Sequence, residues 1–295
     1  MTNQELFQMV GIRPEPAVPQ RKGNKREGFP WISVILLTAI VLFCLFAEVL
    51  MTKDPSYLDL KNFNVAPNRE FLFGTDTLGR DIFSGIWYGG RISITIGFLS
   101  TLISTLIAIV YGSVSGIAPV WLDTLMMRFT EIFLSVPGLL LVLFLQAILG
   151  EANVLTLSIV IGVTSWASIA KVIRTEVRQI RSSEYVVASR CMGGRFFHIL
   201  RKHLAPNFIA SIMFMVVMNV RGAIGAESTL SFMGMGLPLE IISWGSMLSL
   251  SEKALLTDSW WIILIPGAFL VTLLMCLTNI GNYLRKTANG QESKL

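Results

Sequence analysis

The residues able to do chemistry in this sequence are few, and their spacing withholds most reactions. The only histidines are His198 and His203, and the three cysteines, Cys44, Cys191 and Cys276, stand far apart. None has a partner at metal-ligand spacing, so the cysteines read as packing residues. There is no GxxxxGK[ST] phosphate loop, no HExxH, no CxxC and no GxSxG. Their absence removes the common routes to nucleotide binding, zinc hydrolysis, thiol exchange and serine catalysis. No catalytic residue and no metal ligand is therefore expected. What remains is a small set of charges. Asp76, Arg80 and Asp81 fall in GTDTLGRD with Gly74, Thr75 and Gly79. They suit a charged ligand terminus, or a local ion-pair and Asx-turn network bracing a loop, and the second is the more economical. Arg128 and Glu131 stand three apart and can pair on one helix face. Arg221 lies towards the outer end of the fifth apolar segment and suits either lining a cavity or snorkelling to an interface. Arg128, Glu131, Arg221 and Glu227 are the candidates for a pathway or its gate.

The elements that must position these groups are set by composition. Hydrophobic residues make up 53% of the 295 and charged residues only 15%, with a mean hydropathy of +0.64. Soluble domains carry about 25% charged residues, so a water-soluble enzyme and a disordered chain are both excluded. Three cysteines exclude a disulfide-stapled scaffold. The apolar residues come in blocks, 31–47, 92–110, 132–150, 152–170, 208–220 and 259–284. A bilayer core needs about 20 helical residues, so the chain is expected to be an all-α integral membrane protein with six spans. Strict alternation is absent, which disfavours a barrel.

Charge sets the expected orientation. The tail before residue 30 carries Arg13, Arg21, Lys22, Lys25 and Arg26, and the segment 171–203 is rich in Arg and Lys. The segments 52–91 and 224–258 are balanced or acidic. Basic segments stay in the cytoplasm, which places both termini there. Topology thus accounts for the net charge of +5, and no nucleic-acid partner is implied. The expected organisation is a cytoplasmic tail 1–29, an uncleaved anchor span 30–51 and an extracytoplasmic loop 52–91. A five-helix core 92–284, with a cytoplasmic loop at about 174–205, and a cytoplasmic tail 285–295 complete it.

That cytoplasmic loop reads EYVVASRCMGGRFFHILRKHLAPN over 184–207. Tyr185, Ala188, Met192, Phe196 and Ile199 recur at helical spacing, and Gly193-Gly194 predicts a turn between two short helices. Small residues at Ala188, Ser189 and Gly193 would admit another protein's surface. An amphipathic helix on the anionic inner leaflet fits the same residues equally well.

This stretch resembles the EAA loop of ABC-importer permeases. Glu184, Tyr185, Val186, Ala188, Arg190, Gly193, Ile199, His203, Pro206 and Asn207 match the longer pattern of the dipeptide, oligopeptide and nickel branch, and the chain resembles its shorter C-type subunit. Three further blocks agree in order: FGTDTLGRDIFSGIWYGGRISITIG from residue 73, the residues Met127-Arg128, Glu131 and Pro137-Gly138-Leu139-Leu140, and AESTLSFMGMGL followed by SWGSML from residue 226. Departures are Ser189 for the second alanine, Ala205 for a leucine, Gly194-Arg195 for Ala-Ser and Asn282 for an aspartate. The segment 237–242 also lacks a Pro-rich turn, which bears on the transported ligand.

The resemblance implies a type I ABC-importer permease fold in a bacterial cytoplasmic membrane, with coupling helices. It implies a non-catalytic subunit that pairs with a second permease, docks on two ATPase subunits and receives solute from an extracytoplasmic binding protein. Glu184, Tyr185, Ala188, Ser189, Gly193, Ile199, His203 and Pro206 would make the ATPase contact. No cofactor is bound by this chain, since ATP and Mg would sit on the partner ATPases. Membrane lipid is the remaining partner. Di- and oligopeptides are the expected cargo, nickel or a metal chelate the alternative. A stand-alone secondary transporter would need charged mid-span groups, which are scarce here. A lipid-binding membrane scaffold, and last an intramembrane enzyme, are the other possibilities.

Overall fold

A computed structural model of the chain describes residues 28–181, 205–250, 254 and 258–292. Long apolar blocks must satisfy their backbone internally in a bilayer, and a helix does this without partners. The elements are accordingly helical: α1 (Trp31–Leu45), α2 (Ala47–Leu50), α3 (Ile82–Ile117), α4 (Val120–Ser135), α5 (Gly138–Leu149), α6 (Val154–Arg181), α7 (Ala205–Phe232), α8 (Trp244–Ser249) and α9 (Trp261–Glu292). Among the described residues the only pairing of strand type is an isolated bridge between Thr75 and Asp81.

Several helix ends have local causes. Asp81 caps α3 by accepting from the Ser84 N–H at 3.0 Å. Asn153 Oδ1 accepts from the N–H groups of Leu155 and Thr156 at the start of α6, and Thr156 Oγ1 accepts from the Asn153 N–H in return. Ser243 and Ser246 form a capping box on α8. These side chains satisfy amides that helix starts leave unpaired.

α3 is the central helix, and α6 is its main partner, with α7 next. The α3–α6 approach is close because glycine removes the side chain on each side. A Cβ on Gly112 would lie 2.6 Å from the Ala170 carbonyl oxygen, and one on Gly162 would lie 2.8 Å from the Ile103 Cβ. Three buried clusters follow. One gathers Ile82, Ile86, Trp244, Trp261 and Ile262. A second gathers Ala108, Trp166, Ile169, Ile173 and Val177. The third gathers Ile96, Val142, Leu157, Ile161 and Leu230.

Among the described residues, three helical segments are long and apolar enough to cross a membrane, Ile82–Ile117, Val154–Gln179 and Trp261–Thr287. The pair α4 and α5 makes up to a fourth. α1, with 15 residues, and α7 are not among them. The block 132–150 is not one straight span: it breaks at Val136-Pro137, and the two halves are bent by 88°. Pro137 lacks an amide hydrogen and pushes Val136 into extended backbone at φ −86°, ψ 130°, which ends α4. The apolar core at 208–220 belongs to a helix that runs to Phe232, so Arg221 lies within the helix as expected, and Glu227, expected in the segment 224–258 outside the spans, lies within α7 as well.

Candidate functional site

The GTDTLGRD residues form a turn at the start of α3. Gly74 and Gly79 adopt φ +78° and +76°, values that side-chain-bearing residues rarely hold. Asp76 Oδ1 accepts from the N–H groups of Leu78 and Arg80, both at 2.8 Å. Burial pushes the Asp76 carboxyl above its ordinary range, and these backbone donors oppose that shift. Thr75 Oγ1 donates to the Asn62 carbonyl at 2.6 Å and accepts from the Val65 N–H at 2.8 Å. Arg80 reaches across to the Leu239 carbonyl at 2.8 Å. Asp81 Oδ2 also accepts from Ser84 Oγ at 2.6 Å and Thr52 Oγ1 at 3.1 Å. A cavity of ≈ 10 Å³ lies beside Asp76, Arg80 and Asp81, room for about one water.

Glu227 occupies the junction of α3, α7 and α8 and is fully buried. Ser231 and Ser243 hydroxyls donate to Oε1 at 3.0 and 2.7 Å, while those of Ser93 and Ser228 donate to Oε2 at 3.1 and 3.2 Å. The serines are themselves tied to backbone. The Trp244 N–H donates to Ser93 Oγ at 3.2 Å, and the Leu237 N–H to Ser231 Oγ at 3.1 Å. A carboxylate can be buried when such donors replace water. The arrangement fixes the segment between α7 and α8 against α3.

A second acid lies at the opposite end of α3. Asp123, in the first turn of α4, is 3% exposed. It accepts from Arg174 Nε and Nη2, each at 2.5 Å, from Arg178 Nη1 at 3.0 Å and from Ser115 Oγ at 2.6 Å. The carboxylate therefore joins α3, α4 and α6. The Arg174 contact is bidentate, the geometry in which guanidinium and carboxylate match best.

Sequence reading named Glu227 but not its partners, and it passed over Asp123 as a site. Ser93 lies 134 residues before Glu227, and Arg174 lies 51 residues after Asp123. No local spacing announces such pairs. Arg128 and Glu131 do pair, at 3.1 Å, with side chains 75% and 51% exposed, a setting in which ion pairs contribute little. Arg221 is exposed on α7, with no ion-pair partner among the described residues. The candidates Glu184, Tyr185, Ala188, Ser189, Gly193, Ile199 and His203 lie outside the described residues. Pro206 falls in the first turn of α7.

A family model described as binding-protein-dependent transport system inner membrane component matches residues 108–288. The chain is 35% identical over 254 residues to the oligopeptide transport system permease protein OppC of Bacillus subtilis (strain 168), covering 86% of this chain and 83% of the relative. It is 39% identical over 256 residues to the dipeptide transport system permease protein DppC of the same organism, covering 87% of this chain and 79% of the relative. A solved structure of the MetNI methionine ABC transporter in inward-facing conformations aligns with a TM-score of 0.54 and 17% identity, covering 69% of this chain and 95% of that one. At that identity the likeness is one of fold alone.

Proposed function

This chain belongs to the family of binding-protein-dependent transport system inner membrane components, and on that premise we propose that it is a permease subunit of an ATP-driven importer of di- and oligopeptides. The observation that carries the peptide reading is the similarity to OppC and DppC over most of each chain. The chain is a multi-pass membrane protein. Six spans with both termini in the cytoplasm are the organisation that its basic segments support.

A second permease completes the pathway, and an extracytoplasmic binding protein delivers peptide to the face carrying the 74–81 turn. Two ATPase subunits bind ATP and Mg and press on the segment Glu184 to Gly193. Hydrolysis takes place on those partner chains. ATP binding then biases a two-state membrane element from a distance, which requires different contacts in the two states. Within this scheme Arg128, Glu131 and Arg221 are candidates for the pathway, whereas Glu227 holds the outer segment in place.

The test is uptake in a strain lacking other peptide and nickel importers, supplied with this chain and its partner subunits. Labelled di- and oligopeptides enter on this reading, and radiolabelled nickel does not. Nickel uptake without peptide uptake would overturn the assignment. Gly193→Asp should abolish peptide uptake while the chain still inserts at its normal level.

A further inference from the structure

α4 is held to the bundle by polar contacts beside one ring contact, that of Phe133 with Trp166 of α6, with centroids 5.5 Å apart. Among its residues only Asp123 and Thr130 are buried. Val120, Trp121, Leu125, Phe129 and Ile132 are exposed. Its grip on the rest of the molecule includes a set of polar contacts: Asp123 as described, the Tyr111 hydroxyl donating to the Met126 carbonyl at 2.6 Å, and Thr130 Oγ1 donating to the Tyr111 hydroxyl at 3.3 Å. α3 and α6, by contrast, touch through glycine at the same level. A Cβ on Gly116 would lie 2.7 Å from Val177 Cγ1 and 3.1 Å from the Arg174 carbonyl oxygen. The ends of α3 and α6 therefore behave as one body, because close-packed contacts of this kind transmit displacement. α4 leads directly into the 88° elbow at Pro137. Beyond the elbow, Val142 of α5 packs with Leu157 and Ile161 in the other half of α6.

We propose that Asp123, held by Arg174 and Arg178, is a positioning residue for transport, the joint that makes α4 and its elbow follow the end of α6. This rests on the reading above, in which ATPase subunits act on the segment that follows α6. An apolar contact here would let α4 slide. A bidentate ion pair fixes both distance and angle, and it holds while the surrounding packing shifts. Arg178 and Ser115 occupy the remaining acceptor positions of the carboxylate, so the joint is saturated and directional. Displacement of the α6 end then changes the angle between α4 and α5 rather than being lost in a loose contact. A static brace would only hold the bundle together.

The two roles separate in proteoliposomes holding the full complex with its second permease, its ATPases and a peptide-loaded binding protein. The readouts are assembled complex per vesicle, ATP hydrolysed with and without binding protein, and peptide taken up per ATP. Asp123→Asn is expected to lower peptide per ATP about tenfold, a typical size for coupling between sites, with assembly and basal hydrolysis kept. Arg178→Gln leaves the bidentate pair in place and is expected to lower the ratio in the same direction by less. Exchanging the charges, Asp123→Arg with Arg174→Asp, should recover part of the loss. If the ratio is unchanged in both single variants, or if uptake and hydrolysis fall only in step with the amount of assembled complex, Asp123 is a brace and the proposal is overturned. Absence of binding-protein-stimulated hydrolysis in the wild-type complex is a different failure, which overturns the transporter reading and this proposal with it.

Discussion

At Glu227, serine hydroxyls stand where water would hydrate an exposed carboxylate. Removing the acid strands those hydroxyls in a buried site. Glu227→Ala is therefore expected to destabilise the protein by about 1–3 kcal/mol, the range for leaving buried polar groups without a partner. Glu227→Gln keeps the shape and one acceptor oxygen and should lose less. Thermal unfolding of the detergent-solubilised protein measures both, and equal melting temperatures for wild type and Glu227→Ala would refute the cage. Asp76 makes a claim of the same type. Asp76→Ala releases the amides of Leu78 and Arg80, and each lost bond to a charged acceptor is worth about 1.5–3 kcal/mol. Faster hydrogen exchange at those two amides, with α3 itself unchanged, is the expected result.

Among the elements, the α3–α6 contact depends most directly on residue size. Gly162 faces both the Ile103 Cβ and the Ser100 carbonyl oxygen, which a new Cβ would approach to 2.8 and 2.9 Å. Gly162→Val should overpack this seam and destabilise the fold by about 1–3 kcal/mol or more. The yield of folded, monodisperse protein and its melting temperature report the effect. A folded variant as stable as wild type would show that the seam is looser than described. Most of these elements were legible in the sequence, because a run of apolar residues near bilayer length leaves few alternatives to a helix. The elbow was less so: the block 132–150 has the composition of one span, and only Pro137 hints at the break. The far end of α7 was hidden for a different reason. Hydropathy counts Glu227 as a reason to stop a span, but its carboxyl is met by Ser93 of α3 and by Ser243 at the start of α8, which only the folded chain brings together. The Asp123 joint was hidden in the same way, since Arg174 and Arg178 look like any basic segment until α6 is laid against α4.

On the scale of the whole molecule, the polar clusters lie at opposite ends of α3. The turn at 74–81, the Arg80 contact to Leu239 and the Glu227 cage knit one end together. Asp123 and its arginines join three helices at the other. Between them run close-packed apolar contacts of α3 with α6 and α7. Such a body suits a subunit that is moved as a lever by force applied at one end, with solute handed over at the other. The central claim is that a nucleotide-driven partner grips the segment around Ala188. The most direct measurement places a cysteine there, Ala188→Cys in a background with the native cysteines removed, and asks what it reaches in the purified complex. A short thiol-reactive cross-linker should join it to an ATPase subunit, with a yield that changes when ATP is added. Labelling by lipid-phase or aqueous reagents at the same rate with and without the ATPases, and no cross-link to them, would contradict the account.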